Sequence, residues 1–563
     1  MVHRVLNIVY KEVRGLHQAA YILAIFTFGS QLLALIRDRL LAHQFGAGIE
    51  LDLYYTAFRI PDFLYVLFAS TLSVYVLIPF IVKRIEQKNY EEAKYLLSQI
   101  FSLFLFVYGA CAILAMIFAP KIVTYVFPGF TGEVETLVLL IRILLVQPLL
   151  LGVSSLFGVI TQLEQRFVLY ALSPLVYNLG IIFGLLFLYP HFGISGLALG
   201  VVLGALGHIF IQLPFLRGNA LSPRFVVKFN WTDVAAVCKT SVIRAVTLSL
   251  HQMVLLGLIG FASIMTVGSV SVFQFAFNLQ SVPLAIIGVS YSVAAFPLLA
   301  QLFAEKKYEL FGENITTTLR HILFWSLPTI ALFVVIRAQF VRVVLGTGAF
   351  DWNDTRLTAA ILALFILSLA SQAMHLLLVR ALYAAQNTRL PFYVTIFSSF
   401  GALLLSLYFY GVLISHGDVY TFFESLMRLE GVKGIEVLAL PLGYSSALIL
   451  HSIVLLLLSQ KYICIRARSI AISFMHATIA SLAAGYVAYV ILNLFATGIE
   501  TDTLLTVFSQ GLIAGIGGLF TFVLIQFFCK SKELFEIGNT LKKRLRKINT
   551  GVATPQDEDT FSV

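Results

Sequence analysis

The sequence predicts an all-α polytopic membrane protein with about fourteen transmembrane helices, and three observations carry that prediction. Hydrophobic residues make up 59% of the 563 positions and charged residues only 12%, against about 25% charged in soluble domains. Apolar runs recur from residue 17 to residue 528, each close to the roughly 20 residues a helix needs to cross a bilayer. No segment between them is long enough for a soluble domain, the largest being 217–232, 415–435 and the C-terminal tail. The net charge of +10 is scattered through short loops, so it reads as membrane topology and not as a nucleic-acid face.

The runs place spans near 17–41, 51–82, 95–119, 136–162, 168–189, 194–216, 233–262, 269–302, 315–345, 357–384, 391–414, 436–459, 473–496 and 503–528. The connecting loops alternate in charge. One set carries Arg4, Lys11 and Arg14, then Lys83, Arg84, Lys88 and Lys94, and later Lys306, Lys307, Lys461, Arg466 and Arg468. The other set holds little besides Lys121, Arg342, Arg356, Arg428 and Lys433. Positive charge is retained on the cytoplasmic side, so both termini are expected there, as an even number of spans requires. The N-terminus shows no short apolar region with a cleavage site, and no removed signal peptide is expected. The tail run Lys542, Lys543, Arg544, Arg546 and Lys547 is expected on the anionic inner leaflet, followed by a disordered end.

The chain also matches itself at an offset of about 218. In "AFRIPDFLYVLFASTLSVYVLIPFIVKRIEQKNYEEA" (57–93) and "AFNLQSVPLAIIGVSYSVAAFPLLAQLFAEKKYELF" (276–311), Ala57-Phe58 falls on Ala276-Phe277, Pro79 on Pro297, and Tyr90-Glu91 on Tyr308-Glu309. "GISGLALG" (193–200) resembles "GIEVLALP" (434–441), with extra residues around 416–433 widening the offset. Six spans separate each pair, so the halves are parallel repeats, the arrangement of transporters that rock two bundles about a midplane site. The expected organisation is a six-helix lobe over 1–222, a second over 223–465, spans 13 and 14 over 466–530, and a tail over 531–563.

Charges inside spans are rare and face a cavity or a partner. They concentrate on the first two: Arg37, Asp38, Arg39, Asp52, Arg59 and Asp62, with Arg142, Arg244 and Arg380 further on. On span 1, Ser30, Ala34, Arg37 and Leu41 share a face. Guanidinium is suited to phosphate, which it grips as an always-charged fork. Arg37, Asp38, Asp52, Arg59 and Arg244, with the polar neighbours Gln252 and Asn278, are therefore the candidate binding set, the arginines for a diphosphate and the carboxylates to orient them. Two plainer readings stand beside this one. Arg37 and Arg39 can snorkel to the outer interface, and Arg59 can pair with Asp62 or Asp52 as a structural bridge. Phe45–Gly48 reads as the turn into span 2.

Catalysis is not expected: Ser–His–Asp sets, glycine-rich phosphate loops and hydrolase-spaced carboxylates are absent or unconvincing. The four cysteines lie far apart and read as packing residues, and neither a metal nor a cofactor is called for.

Four stretches resemble the MurJ/MviN family of the multidrug/oligosaccharidyl-lipid/polysaccharide exporter superfamily. They are "RDRLLAHQFGAGIELDLYYTAFRIPD" (37–62), "QRFVLYALSPLVYNLGII" (165–182), "QLP" (212–214) and "LYAAQNTRLP" (382–391). The resemblance implies a bacterial inner-membrane flippase for lipid II, the undecaprenyl-diphosphate-linked peptidoglycan precursor, working by alternating access. Spans 13 and 14 would form a groove for the lipid tail. Membrane lipids and cell-wall synthesis enzymes are the implied neighbours. Arg37 and Asp52 match functionally important cavity positions, and Arg59 matches a basic one. The chain departs from the family pattern at Gln31, Tyr65-Val66, Ala69-Ser70-Thr71 and Asn278, where basic or acidic residues are usual. A flippase for another polyprenyl-diphosphate oligosaccharide, and a non-transporting scaffold, are the alternatives that this thinning opens.

Overall fold

The computed structural model describes residues 16–69, 74–496 and 503–539, and every regular element among them is helical. The first helix, α1 (Leu16–Phe45), turns at Gly46 into a broken run, α2 (Ile49–Ala57), α3 (Arg59–Ala69) and α4 (Val74–Glu86). The single span expected over 51–82 is thus interrupted, once at Phe58. Next come α5 (Tyr90–Val126), α6 (Val134–Leu144), α7 (Val146–Leu163), α8 (Phe167–Phe183) and α9 (Ile194–Phe210). The second half holds α10 (Trp231–Ser263), α11 (Ser269–Leu284), α12 (Ser290–Ala304), α13 (Tyr308–Leu345), α14 (Trp352–Ile366) and α15 (Leu369–Ala384). After these come α16 (Arg389–Ser415), α17 (Gly417–Met427), α18 (Ala439–Ser459), α19 (Ala467–Ala496) and α20 (Leu504–Phe528).

Eleven stretches among the described residues are long and apolar enough to cross a membrane, and the pair α14–α15, bent by 43°, makes a twelfth. With α1 and the run α2–α4 in the first two places, the order reproduces fourteen spans. The boundaries follow local chemistry. Asn89 caps α5 by accepting from the Glu92 amide, with Glu91 and Glu92 in the first turn, where negative charge meets the positive helix end. Thr503 caps α20 in the same way. The 415–435 segment, read from sequence as a loop, contains the amphipathic α17.

The chain divides into two compact units. One takes the residues up to Val282 together with Val341–Phe365 and Thr388–His451. Its core includes Leu97, Tyr108, Leu156, Ile160 and Val237, all nearly or fully excluded from solvent. Within it α8, with the turn at Gly184 that continues it, and α9 lie so close that a Cβ at Gly180, Gly184, Gly200 or Gly204 would run into the facing backbone. Arg84 pairs with Asp233 at 2.8 Å.

The other unit takes Pro283–Phe340, Ile366–Asn387 and the chain from Ser452 onward. Phe324 meets Phe522 edge-on at 5.1 Å, over a seam of the small residues Ala480 and Ala484. A short helix over 532–539 follows α20. Arg320 Nε donates to its Glu533 at 2.7 Å, Ser473 Oγ donates to the same carboxylate, and His321 Nε2 donates to Glu536 at 2.8 Å. Burial raises the Glu533 carboxyl, but the hydrogen bonds from Ser473 and Arg320 outweigh it and hold the group below its ordinary value. Cys464 and Cys529 are exposed, which corrects their reading as packing residues; Cys111 and Cys238 are half-buried.

Candidate functional site

All seven predicted binding residues belong to the first unit. Near the end of α1, Arg37 folds back on its neighbour: Nε and Nη2 donate to Asp38 Oδ1 at 3.0 and 2.8 Å. Its remaining arm, Nη1, donates to Asn178 Oδ1 on α8 at 3.0 Å. Asn178 in turn donates to Ser30 Oγ, two turns before Arg37 on the same face of α1.

Asp38 is buried, and its second oxygen accepts from Asn278 Nδ2 on α11 at 3.0 Å. One turn earlier, Gln274 Nε2 donates to Asn278 Oδ1 at 2.7 Å, and Gln274 Oε1 accepts from Arg59 Nη2 at 2.6 Å. Arg37 and Arg59 are therefore joined by a continuous file: Arg37, Asp38, Asn278, Gln274, Arg59. The file crosses α1, α11 and α3. Arg59 is buried, and its Nε has no hydrogen-bond partner among the described residues. Its bridge is to a neutral amide, not to Asp62 or Asp52 as the structural reading had it.

Asp52 stands outside this file and is reassigned. It accepts from the Gly268 amide at 2.7 Å, the Ser271 amide at 2.8 Å and Ser271 Oγ at 2.5 Å. These donors are the free amide end of α11, where a carboxylate is favoured by both hydrogen bonding and the helix dipole. Asp52 thus caps another helix and does not orient the arginines. Gln252 is half-buried on α10 and makes no hydrogen bond among the described residues. Arg244 lies on the same helix, and its side chain falls outside the described residues.

The turn after α1 explains Arg39. Gly46 sits at φ +58°, and a Cβ there would lie 2.6 Å from the Ala349 carbonyl oxygen, so glycine is required on both counts. The Ala349 amide donates to the His43 carbonyl at 2.9 Å, and the Ala47 amide to Asp354 at 3.1 Å. Gly268, at φ +94°, packs against Ala47. Beside this seam Arg39 Nη1 donates to the carbonyls of Val343 and Val344. Those are last-turn acceptors of α13, left open by the helix end and favoured by a cation. Arg39 neither snorkels nor enters the arginine file; it caps.

A file of polar residues joined across apolar helices can be built by many lineages and names none of them. The decisive observation is that the family model described as "Lipid II flippase MurJ" matches residues 41–509. The chain belongs to the MurJ family. A probable lipid II flippase MurJ of Buchnera aphidicola subsp. Acyrthosiphon pisum is 28% identical over 382 residues, covering 67% of this chain and 74% of the relative. That of Thermotoga maritima is 27% identical, covering 66% of this chain and 75% of the relative. Among solved structures, lipid II flippase MurJ in an inward closed conformation aligns with a TM-score of 0.71 at 22% identity, over 91% of this chain and 99% of that one. An inward-facing MATE multidrug transporter of the MOP superfamily aligns at 0.62 and 14%, over 77% of this chain and 94% of the other. These two likenesses speak to the fold.

Against the MurJ pattern, the departures now have surroundings. Asn278 is not an empty place: it carries the link from Asp38 to Gln274. Tyr65 hydrogen-bonds Ser155 at 3.2 Å, Val66 is half-buried and Gln31 is exposed. Ser70 and Thr71 lie outside the described residues, as does the side chain of Ala69. Sequence reading missed Gln274. The signal was weak, since Gln274 and Asn278 lie one turn apart on a helix that also carries Ser269, Ser271, Gln280 and Ser281.

Proposed function

We propose that this protein is a flippase that carries lipid II, a polyprenyl-diphosphate-linked peptidoglycan precursor, from the inner to the outer leaflet of a bacterial inner membrane by alternating access. Family membership supports the activity, and the file from Arg37 to Arg59 is the observation that supports the site. Two guanidinium groups held at its ends are suited to a diphosphate, and neither is lost to lipid. Arg37 and Arg59 are formally balanced by Asp38 and Asp62, so Arg244 supplies the charge that makes the set cationic. Binding then exchanges hydrogen bonds: phosphate oxygens replace Asp38 and Asn178 on Arg37, and replace Gln274 on Arg59. The six-helix lobes 1–222 and 223–465 are the moving bodies in this reading. Both termini are cytoplasmic, and helices 13 and 14 take the lipid tail. Cell-wall synthesis enzymes are candidate neighbours, and the protein transports without catalysis.

A second reading, transport of another polyprenyl-diphosphate oligosaccharide, is favoured by Asn278, which stands where the family usually carries a cation. Complementation separates the readings. In a bacterium depleted of its own flippase, wild type should restore growth and the double variant Arg37→Ala, Arg59→Ala should not. Rescue by the double variant would sink the diphosphate site. Failure of well-expressed wild type would favour the other oligosaccharide, or a scaffold without transport.

A further inference from the structure

A groove of about 470 Å³ opens in the first unit, away from the arginine file, where the end of α10 meets the end of α16 and the start of α17. Its polar wall is Glu436, whose Oε1 accepts from Thr266 Oγ1 at 2.5 Å and from the Thr266 amide at 3.3 Å. The other carboxylate oxygen has no partner among the described residues, and no cation among them pairs with Glu436. Two tyrosines, Tyr410 and Tyr420, line the same groove. Burial, and then the carboxylates of Glu436 and Glu424, push the Tyr420 hydroxyl above its ordinary value. A carboxylate oxygen set among aromatic rings is the chemistry that takes an ammonium group.

The remaining walls, Ile264 and Ile414, are apolar and exposed. Ile414 also ends an exposed stripe of α16 that runs through Phe400, Leu404 and Leu407 at helical spacing. On α17, Phe422 and Leu426 stay exposed one turn apart, as residues of an interfacial helix do. We infer that this groove binds the ammonium head group of a membrane phospholipid, with Glu436 as counter-ion, Tyr410 and Tyr420 as ring faces, and the acyl chains laid along the apolar stripe of α16. The shared chemistry is a primary amine on an apolar body. The apolar stripe and the exposed face of α17 select a lipid over a soluble amine.

The test uses the full-length protein, delipidated in detergent, with lipid retention read by native mass spectrometry. Phosphatidylethanolamine should be retained about tenfold better than phosphatidylglycerol of the same chains. Glu436→Gln and Tyr420→Leu should each reduce that preference and leave phosphatidylglycerol retention unchanged. Thr266 can donate equally well to a glutamine carbonyl, so Glu436→Gln should keep the fold, and Tyr420→Leu tests the rings independently. Equal retention of the two lipids by wild type, or an undiminished preference in both variants, overturns the assignment. Displacement of the lipid by soluble phosphoethanolamine at equal concentration assigns the groove to a free amine and refutes the lipid.

Discussion

Replacing Asp38 by alanine tests whether the arginine file is one interacting unit. The carboxylate is 4% exposed and its Arg37 partner 20%. Asp38→Ala takes the acceptor from two arms of Arg37 and from Asn278 Nδ2. Breaking a fully buried pair costs about 3–5 kcal/mol. Arg37 keeps Asn178 and some exposure, which brings its share to about 2 kcal/mol, and the stranded amide adds about 1 kcal/mol. Asn278→Ala removes the same amide link from the other side and should cost about 1–2 kcal/mol. Because the two changes delete one bond in common, the double variant should be less destabilised than their sum by about 1 kcal/mol. Reversible unfolding of the full-length protein in mixed micelles of increasing SDS content, followed by circular dichroism, measures all four corners of the cycle. Additivity within about 0.5 kcal/mol would refute the file as a coupled unit. So would an Asp38→Ala cost no larger than that of Asn278→Ala.

Other expectations follow from the same geometry. Asp52→Asn keeps one acceptor at the α11 amide end but loses the charge, and should destabilise by about 1–2 kcal/mol in the same titration, against near-neutrality if Asp52 were idle. Arg39→Ala uncaps α13, at a cost of about 0.5–1 kcal/mol, and should raise the thiol labelling rate of a cysteine placed at Ala349. An unchanged rate would count against the seam. Glu533 has a depressed carboxyl in the folded state, so its contribution is fully present above the ordinary Glu value of 4.5 and is lost as pH falls below the folded value. Hydrogen-exchange protection over 532–539, taken relative to the intrinsic rate at each pH, should fall on that acid side in wild type and be low at both pH values in Glu533→Gln.

The helices and their order were legible in the sequence because hydropathy and loop charge act over twenty residues at a time, and single positions hardly disturb them. The site was legible only in part. Arg37, Asp38 and Asn278 stood out as polar residues in apolar spans, and the structure joins them. Asp52 stood out by the same rule, yet it caps the helix that begins at Ser269, 217 residues away in a different span. Two of its three donors are backbone amides, which no sequence pattern marks. Arg39 illustrates the same limit, since the carbonyls it meets belong to two valines. Gln274 went unread because a glutamine facing lipid and a glutamine facing an arginine are identical on the page. Helix α17 was hidden by its length, eleven residues with a polar face, too short for any membrane signal.

The amide at position 278 has a consequence for signalling. Hydrogen-bond direction along the file is set at its ends, with Arg59 giving and Asp38 receiving. The two amides between them point the same way only because of those ends. An arginine at 278 could give but never receive, and would sever Gln274 from the relay. With an amide there, the file runs unbroken from Arg59 through Gln274 and Asn278 to Asp38. In the proposed flippase, an anion that took Arg59 would therefore act on a file that also holds Arg37, across three helices and with no charge having to move.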